Sequence, residues 1–433
     1  MKSKFLWATL SVVALVMIVL IGFNQAGMLT WFAGKPDKVR KDSKIAGETG
    51  LEEKKEKRKS SPIKGKAHRR STKNAQSSTV QTNTAQHSPE EILGKLIALM
   101  NDSSVFIEIK SKFNMHRHSN AKEEWKRLIA EQKQELRELL ASDEFKEFYG
   151  LVKELSQFDS VNFNIDYSSI GVDFQTPELK NIIDIEKCLA LKSLSNKEEG
   201  DFPEAVDPLA LGLKLSHQAR TDTIPESAMT RMGLDGSLLT QLNDLVQSGN
   251  LTAEQTTGLI TELASRNYRA ALVPSFDTDK LMMDNEFQKM MSGDSKSVEK
   301  LATMFGYPQE TIRGIVESKE TLERNLNACD EYTKKYQDLC SKPLYESKEE
   351  IQALQKEIAE LPNDYSLVKL LLSGNTSFML MANFMTDTVN RQLISMATTI
   401  YKSRNNGTSP QTPEDLLGIL NEIPVNPLTG ESY

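Results

Sequence analysis

Residues 125–155, WKRLIAEQKQELRELLASDEFKEFYGLVKEL, decide the fold class. Trp125, Leu128, Ile129, Leu136, Leu139, Leu140, Phe145, Phe148, Tyr149, Val152 and Leu155 recur at intervals of three and four, with Lys, Arg and Glu between them. That is the period of an amphipathic helix, and both halves of the stretch read as helix with one apolar face.

Working outward, helix starts of the same kind recur. Ser88-Pro89-Glu90-Glu91 places an N-cap, a proline at the first helical position and acids in the first turn, so the folded body is expected to begin there. Thr176-Pro177-Glu178 precedes an apolar run through Leu194, Thr252-Ala253-Glu254-Gln255 is a capping box, and Thr412-Pro413-Glu414-Asp415 repeats the pattern near the end. Gly249-Asn250 stops a helix carrying Leu238, Leu239, Leu242, Leu245 and Val246. Alternation of period two is confined to Val161 through Tyr167, which allows one short strand or extended arm. Successive helices with short breaks imply a mostly α body of antiparallel helical hairpins over residues 88–400, followed by a turn-rich C-terminal tail, residues 401–433, packed on it. Leu367 to Met396 is rich in Leu and Met. Lys369, Asn375, Asn383, Asp387, Asn390 and Arg391 interrupt it too often for lipid, so it reads as a buried core helix.

The N-terminal part is different in kind. After a four-residue tail, the 19 residues from Phe5 to Phe23 carry no charge and span about 28 Å as a helix, close to the hydrocarbon thickness of a bilayer. One uncleaved transmembrane anchor is the expectation. A cleaved signal peptide is the competing reading, but Asn24-Gln25-Ala26 is a poor cleavage site and no cysteine follows to carry a lipid. Lys2 and Lys4 abut the apolar run, whereas the first downstream charge is Lys35, which favours an N-terminus inside and a body on the extracytoplasmic side of the membrane. Residues 35–86 are nearly free of large apolar side chains, and residues 24–87 read as a flexible basic linker, with a mean span of roughly 40 Å between residues 35 and 86.

Composition sets the outer bounds. A chain of 433 residues, 39% hydrophobic and 26% charged with net charge −7, is neither collagen-like, wholly disordered nor polytopic. The charge is divided unevenly: residues 35–75 hold 15 basic and 6 acidic side chains, net +9, while residues 76–433 carry −18. The run KKEKRKSSPIKGKAHRR has the charge to meet nucleic acid or anionic lipid. It lacks interleaved aromatics for base stacking, so a solvated linker is the simpler reading and nucleic acid is not the expected partner.

No catalytic, cofactor-binding or metal-binding residue is nominated. Of the five histidines, His68, His87, His116, His118 and His217, a local pair occurs at His116 and His118, and no third or fourth ligand accompanies it. There is no Gly-x-Ser-x-Gly elbow, and Cys188 lies in an apolar helical run that suggests a buried, inert thiol. Gly27 to Lys35 ends in Gly-Lys, but the glycine spacing is too long for a phosphate loop. Cys329 and Cys340 are bonded if a turn separates them and free if one helix carries both, since eleven residues of helix rise about 16 Å and a disulfide needs Cα atoms within about 7 Å.

The C-terminal TIYKSRNNGTSPQTPEDLLGILNEIPVNPLTGESY resembles a tail found in bacterial envelope proteins, among them pseudopilin-like proteins and uncharacterised membrane-anchored helical proteins. Tyr401, Gly407, Pro410, Pro413, Leu416, Leu417, Pro424, Pro427, Gly430 and Tyr433 fit its outline. Ser409, Asn426 and Leu428 depart from its tyrosine, aspartate and aromatic positions, and its final proline is absent, so the resemblance transfers no ion-binding role. Physically, Asn426-Pro427-Leu428-Thr429-Gly430 is a turn that returns Tyr433 to the body. Segments between residues 160 and 270 are similar to the middle of the same uncharacterised proteins, which implies an envelope location and brings no activity.

The expectation for function is a single-pass membrane-anchored envelope protein that displays a helical interaction or scaffold domain to another envelope protein, without catalysis. Two alternatives stay open. One is an envelope hydrolase with a carboxylate or histidine site. The other is a cytoplasm-facing body whose basic tether binds anionic lipid.

Overall fold

Helix α1, Pro89–Asp102, begins as its sequence requires: Ser88 Oγ accepts from the Glu91 amide at 3.2 Å, and the Glu91 carboxylate accepts from the Ser88 amide at 3.1 Å. This capping box opens a computed structural model that describes residues 87–113, 121–161, 177–218, 224–305, 309–316, 318–372 and 374–433, all within one unit of the chain. The apolar run at residues 5–23, the basic linker, His68, the His116 and His118 pair, and the alternating segment beyond Val161 lie outside the described residues.

The described chain is mostly helical and contains no strand; an antiparallel bridge between Val425 and Ser432 is its sole β-type pairing. Helices α1, α2 (Ser104–Lys112), α3 (Ala121–Arg127), α4 (Ala130–Leu140) and α5 (Asp143–Leu155) form the N-terminal part. Phe106 of α2 stands 6.0 and 5.0 Å, centroid to centroid, from Phe145 and Phe148 of α5, and all three rings are buried. The first half of the 125–155 stretch is interrupted, because the chain leaves the helix at Leu128 and restarts after Ile129, whose amide donates to Gln132 Oε1 at 3.1 Å. The break leaves Ile129 59% exposed while Trp125, Leu136 and Leu140 remain buried.

Next come α6 (Pro177–Glu198) and α7 (Phe202–Gln218), a hairpin closed by three residues and packed along its length. Helix α8 (Pro225–Ser248) lies against both, and stops at Gly249, whose φ of 71° is the left-handed cap expected there. Helix α9 (Ala253–Ala264) starts at the Thr252 capping box, and the corner Ser265–Asn267 turns the chain into α10 (Tyr268–Met291).

Helices α11 (Ser295–Phe305), α12 (Gln309–Val316), α13 (Lys319–Cys340), α14 (Leu344–Glu360) and α15 (Ser366–Leu371) build the far end. Its core joins Phe287 and Met290 of α10 to Leu301, Ile312, Leu322 and Leu367.

Helix α16, Asn375–Arg404, packs against α8, α9 and α10 and buries Met379, Met385, Val389, Leu393, Met396 and Ile400. The Leu367 to Met396 stretch is therefore core, divided between α15 and α16. No helix among the described residues is long and apolar enough to cross a membrane.

The C-terminal segment is fastened to α14 and α16. Asn426 Oδ1 accepts from the Leu428 amide and Asn426 O from the Gly430 amide, both at 2.8 Å, which makes the turn. The Tyr345 amide of α14 donates to Pro427 O at 3.1 Å, Asn390 Nδ2 to Val425 O at 3.0 Å, and Tyr433 Oη to Asp387 Oδ1 at 2.6 Å. Arg391 lies 5.3 Å from the centre of the Tyr433 ring. Gly430 has φ of 78°, and a Cβ there would stand 2.9 Å from the Tyr345 ring. Gly430→Ala is therefore expected to weaken the latch by roughly 1–2 kcal/mol from backbone strain alone. Trypsin should then cut after Lys402 or Arg404 about tenfold faster than in the parent chain. Tyr433→Phe, which removes a hydrogen bond and no backbone constraint, should act in the same direction.

Candidate functional site

Asp235 sits in the third turn of α8 and is 1% exposed. A carboxylate so deep in the core needs a partner, and two arrive from the corner that leads into α10. Arg266 Nη1 donates to Asp235 Oδ2 at 2.5 Å, and Tyr268 Oη donates to the same oxygen at 2.8 Å. Arg266 Nη2 also donates to the Leu213 carbonyl of α7 and, at 3.1 Å, to Glu262 Oε1 of α9. One guanidinium thus ties three consecutive helices, α7, α8 and α9, at the corner that leads into α10. Burial alone would lower the Arg266 pKa, but the Asp235 charge beside it prevails and holds it above the usual arginine value. Tyr268 is raised well above its ordinary value, first by burial and then by the Asp235 charge, so it is a neutral donor.

Glu186 enters the same region from α6. It is 2% exposed, and neither carboxyl oxygen has a hydrogen-bond partner among the described residues. Burial, reinforced by the Asp235 charge and opposed by Arg266, holds its pKa well above the normal carboxyl range. A protonated Glu186 supplies a donor to a neighbourhood in which Asp235 Oδ1 has no donor of its own.

Above this buried group opens a crevice of about 430 Å³ between the end of α7, the first turns of α8 and the start of α10. Arg231, Asp235, Arg266 and Tyr268 form its polar side, together with Ser216 and His217. The apolar side is made by Ala228, Met232, Ala270, Ala271 and Pro274. A concave, largely apolar site with a few converging polar groups is the kind of place where proteins hold small molecules.

The residues considered from the sequence are scattered. His87 is exposed beside the first helix, 3.3 Å from Glu91 Oε2 and 2.9 Å from Lys95 Nζ. His217 lines the crevice. Cys188 is buried in α6 with its thiol pKa raised by burial, as an inert core cysteine should be. Cys329 and Cys340 both lie on the unbroken α13, and both thiols are free, buried and pushed up to about 12, chiefly by burial. The single helix settles that pair as unbonded. Among the described residues no group of three His, Cys, Asp or Glu side chains converges as a metal site. Sequence reasoning missed Glu186, Asp235, Arg266 and Tyr268. The one available signal was a glutamate inside the apolar run IIDIEKCLALKSL.

No family model, curated protein or solved structure matches the chain.

Two outcomes are expected at the buried group. Arg266→Met leaves Asp235 buried and unpaired and should cost about 3–5 kcal/mol of stability. Glu186 binds its proton more tightly folded than unfolded, so its contribution is complete below pH ~4.5 and is lost as pH rises toward the folded pKa, at about 1.4 kcal/mol per pH unit. Denaturant unfolding at pH 5, 6 and 7 should therefore show Glu186→Gln gaining on the parent chain as the pH rises. Parallel curves for the two proteins would contradict a neutral, buried Glu186.

Proposed function

We propose that the chain is a single-pass membrane-anchored envelope protein whose helical body, carried on a basic tether, serves as an interaction or scaffold module rather than a catalyst. In this reading residues 5–23 are the anchor, residues 24–87 the flexible linker, and the body stands on the extracytoplasmic side and meets another envelope protein. The reading draws first on the sequence: an uncharged run of bilayer length followed by a hydrophilic basic stretch.

The observation that carries the non-catalytic part is how the converging charges are employed. Asp235, Arg266 and Tyr268 are deeply buried and engaged with one another and with the Leu213 carbonyl, which is a fastening role. Surface charge elsewhere is paired both within helices and between them, the latter including Lys133 and Arg137 with Glu198, both at 2.6 Å, and Lys122 with Asp244 at 2.5 Å. Such a body presents a stiff, net acidic surface, and charge complementarity would favour a partner with a basic face.

Topology is the test. With a tag after Tyr433 and the outer envelope permeabilised, added protease should remove the tag while a cytoplasmic control stays intact, and alkaline carbonate should leave the chain in the membrane pellet. Protection of the tag equal to that of the control would place the body in the cytoplasm and turn the basic tether toward anionic lipid. Release by carbonate would remove the anchor from the account.

A further inference from the structure

The joint between α16 and the C-terminal segment carries a chemically reactive pair. Asn406-Gly407 is the one place in the chain where an asparagine precedes a glycine. An asparagine side-chain amide is open to attack by the backbone nitrogen of the residue that follows it, and a glycine in that place has no β-carbon to block the approach. Both residues are exposed, and a Cβ built on Gly407 would meet nothing within 4 Å. The only co-reactant required is water.

Local geometry restrains the reaction. Asn406, with φ of 52°, is the sole non-glycine in the left-handed region among the described residues, and Gly407 follows with φ of 84°. Together they turn the chain off the end of α16. The Gly407 amide donates to Lys402 O at 2.8 Å and the Thr408 amide to Asn405 O at 3.0 Å, so the attacking nitrogen has its hydrogen engaged at the helix end. Ring closure needs that nitrogen to lose its hydrogen and swing onto Asn406 Cγ, and the cap must open first. Downstream anchors oppose such opening. Leu416 and Leu420 are buried, Val425 O is held by Asn390, Pro427 O by the Tyr345 amide, and Tyr433 Oη by Asp387. Residues 408–412, between the cap and these anchors, are largely exposed. The segment is thus tied at both ends, and lifting the far end frees the cap to fray.

We infer that Asn406 is a site of spontaneous backbone modification, protected while the C-terminal segment is seated and exposed when it lifts. In the open state Gly407 N bonds to Asn406 Cγ and the side-chain nitrogen leaves as ammonia, giving a five-membered imide. Water then adds to one imide carbonyl and breaks its bond to nitrogen, leaving aspartate or isoaspartate. Overall one water enters, one ammonia leaves and nothing is oxidised. Isoaspartate routes the backbone through its side-chain carbon, so the lengthened joint cannot remake both cap hydrogen bonds. Either product places a negative charge at the C-terminal end of a 30-residue helix, the end that disfavours it. A prolonged opening is thereby made permanent: the released segment no longer reseats as before. This device is independent of membrane topology and of any partner.

The test follows the tryptic peptide Asn405–Tyr433, which contains no Lys or Arg, by mass spectrometry after incubating the full chain in lipid nanodiscs at mildly alkaline pH. A synthetic peptide of residues 401–412 supplies the unprotected rate. The amide-to-acid mass gain should localise to Asn406 and proceed at least ~10-fold more slowly in the full chain than in the peptide. Gly430→Ala and Tyr433→Phe, which loosen the far anchor by different means, should each speed it, the former by ~10-fold and in step with tryptic cutting after Arg404. Asn406→Gln, which would have to close a six-membered ring, should stay unconverted. Conversion of the parent chain at the peptide's rate would show that the cap gives no protection. Equal rates in the parent and both anchor variants, with the peptide converting, would show that the seated segment does not govern the site; either result overturns the inference.

Discussion

The body turns on one buried contact, the pair formed by Arg266 and Asp235. Helices α7, α8, α9 and α10 come together where a single guanidinium reaches a carboxylate, a backbone carbonyl and a second acid. Such a pair contributes little net stability over apolar residues of the same volume, because desolvation offsets most of the attraction. Its effect is on alternatives. A helix slipped by one turn would leave a charge in the core without its partner, at several kcal/mol, so the pair singles out one register among arrangements that hydrophobic burial alone would rank closely. Glu186 adds to the same constraint by requiring a proton to sit where it does.

Around that point the rest of the body is held by nonpolar contact. The aromatic group of Phe106, Phe145 and Phe148 closes the N-terminal helices, and Phe287, Leu301, Ile312 and Leu322 close the far end. Helix α16 crosses the middle and supplies the surface on which α8, α9 and α10 rest. The C-terminal segment then lies over α14 and α16, where Tyr433 reaches Asp387 on an otherwise core-facing helix. Charge is thus used sparingly inside and generously outside.

Much of this was legible in the sequence because it rests on local rules. The caps at Ser88 and Thr252, the stop at Gly249, the turn at Asn426 through Gly430 and the core character of the Met-rich helix each depend on residues within a few positions of one another. The break at Ile129 was not legible, since Leu128, Ile129 and Leu136 keep a helical spacing across it, whereas that between α15 and α16 falls in the polar, glycine-containing run Ser373 to Ser377, a local signal that the apolar reading of the stretch passed over. Least legible was the buried group itself. Asp235 and Arg266 are separated by 31 residues, and Arg266 sits in a short corner that looks like an ordinary polar turn. Only three-dimensional packing removes water from that corner, and without burial an arginine beside an aspartate carries no meaning. The crevice has the same origin, being formed where the junction of α7 and α8 meets the start of α10.

The most direct test of that central contact is amide hydrogen exchange on the full chain, followed by mass spectrometry of peptides from α7, α8 and the first turns of α10. The account predicts that peptides around Leu213, Asp235 and Leu272 exchange together and only with global unfolding, later than peptides from α1 to α5. Early exchange around Asp235, independent of α7 and α10, would show that the pair does not hold these helices as one unit and would contradict the account.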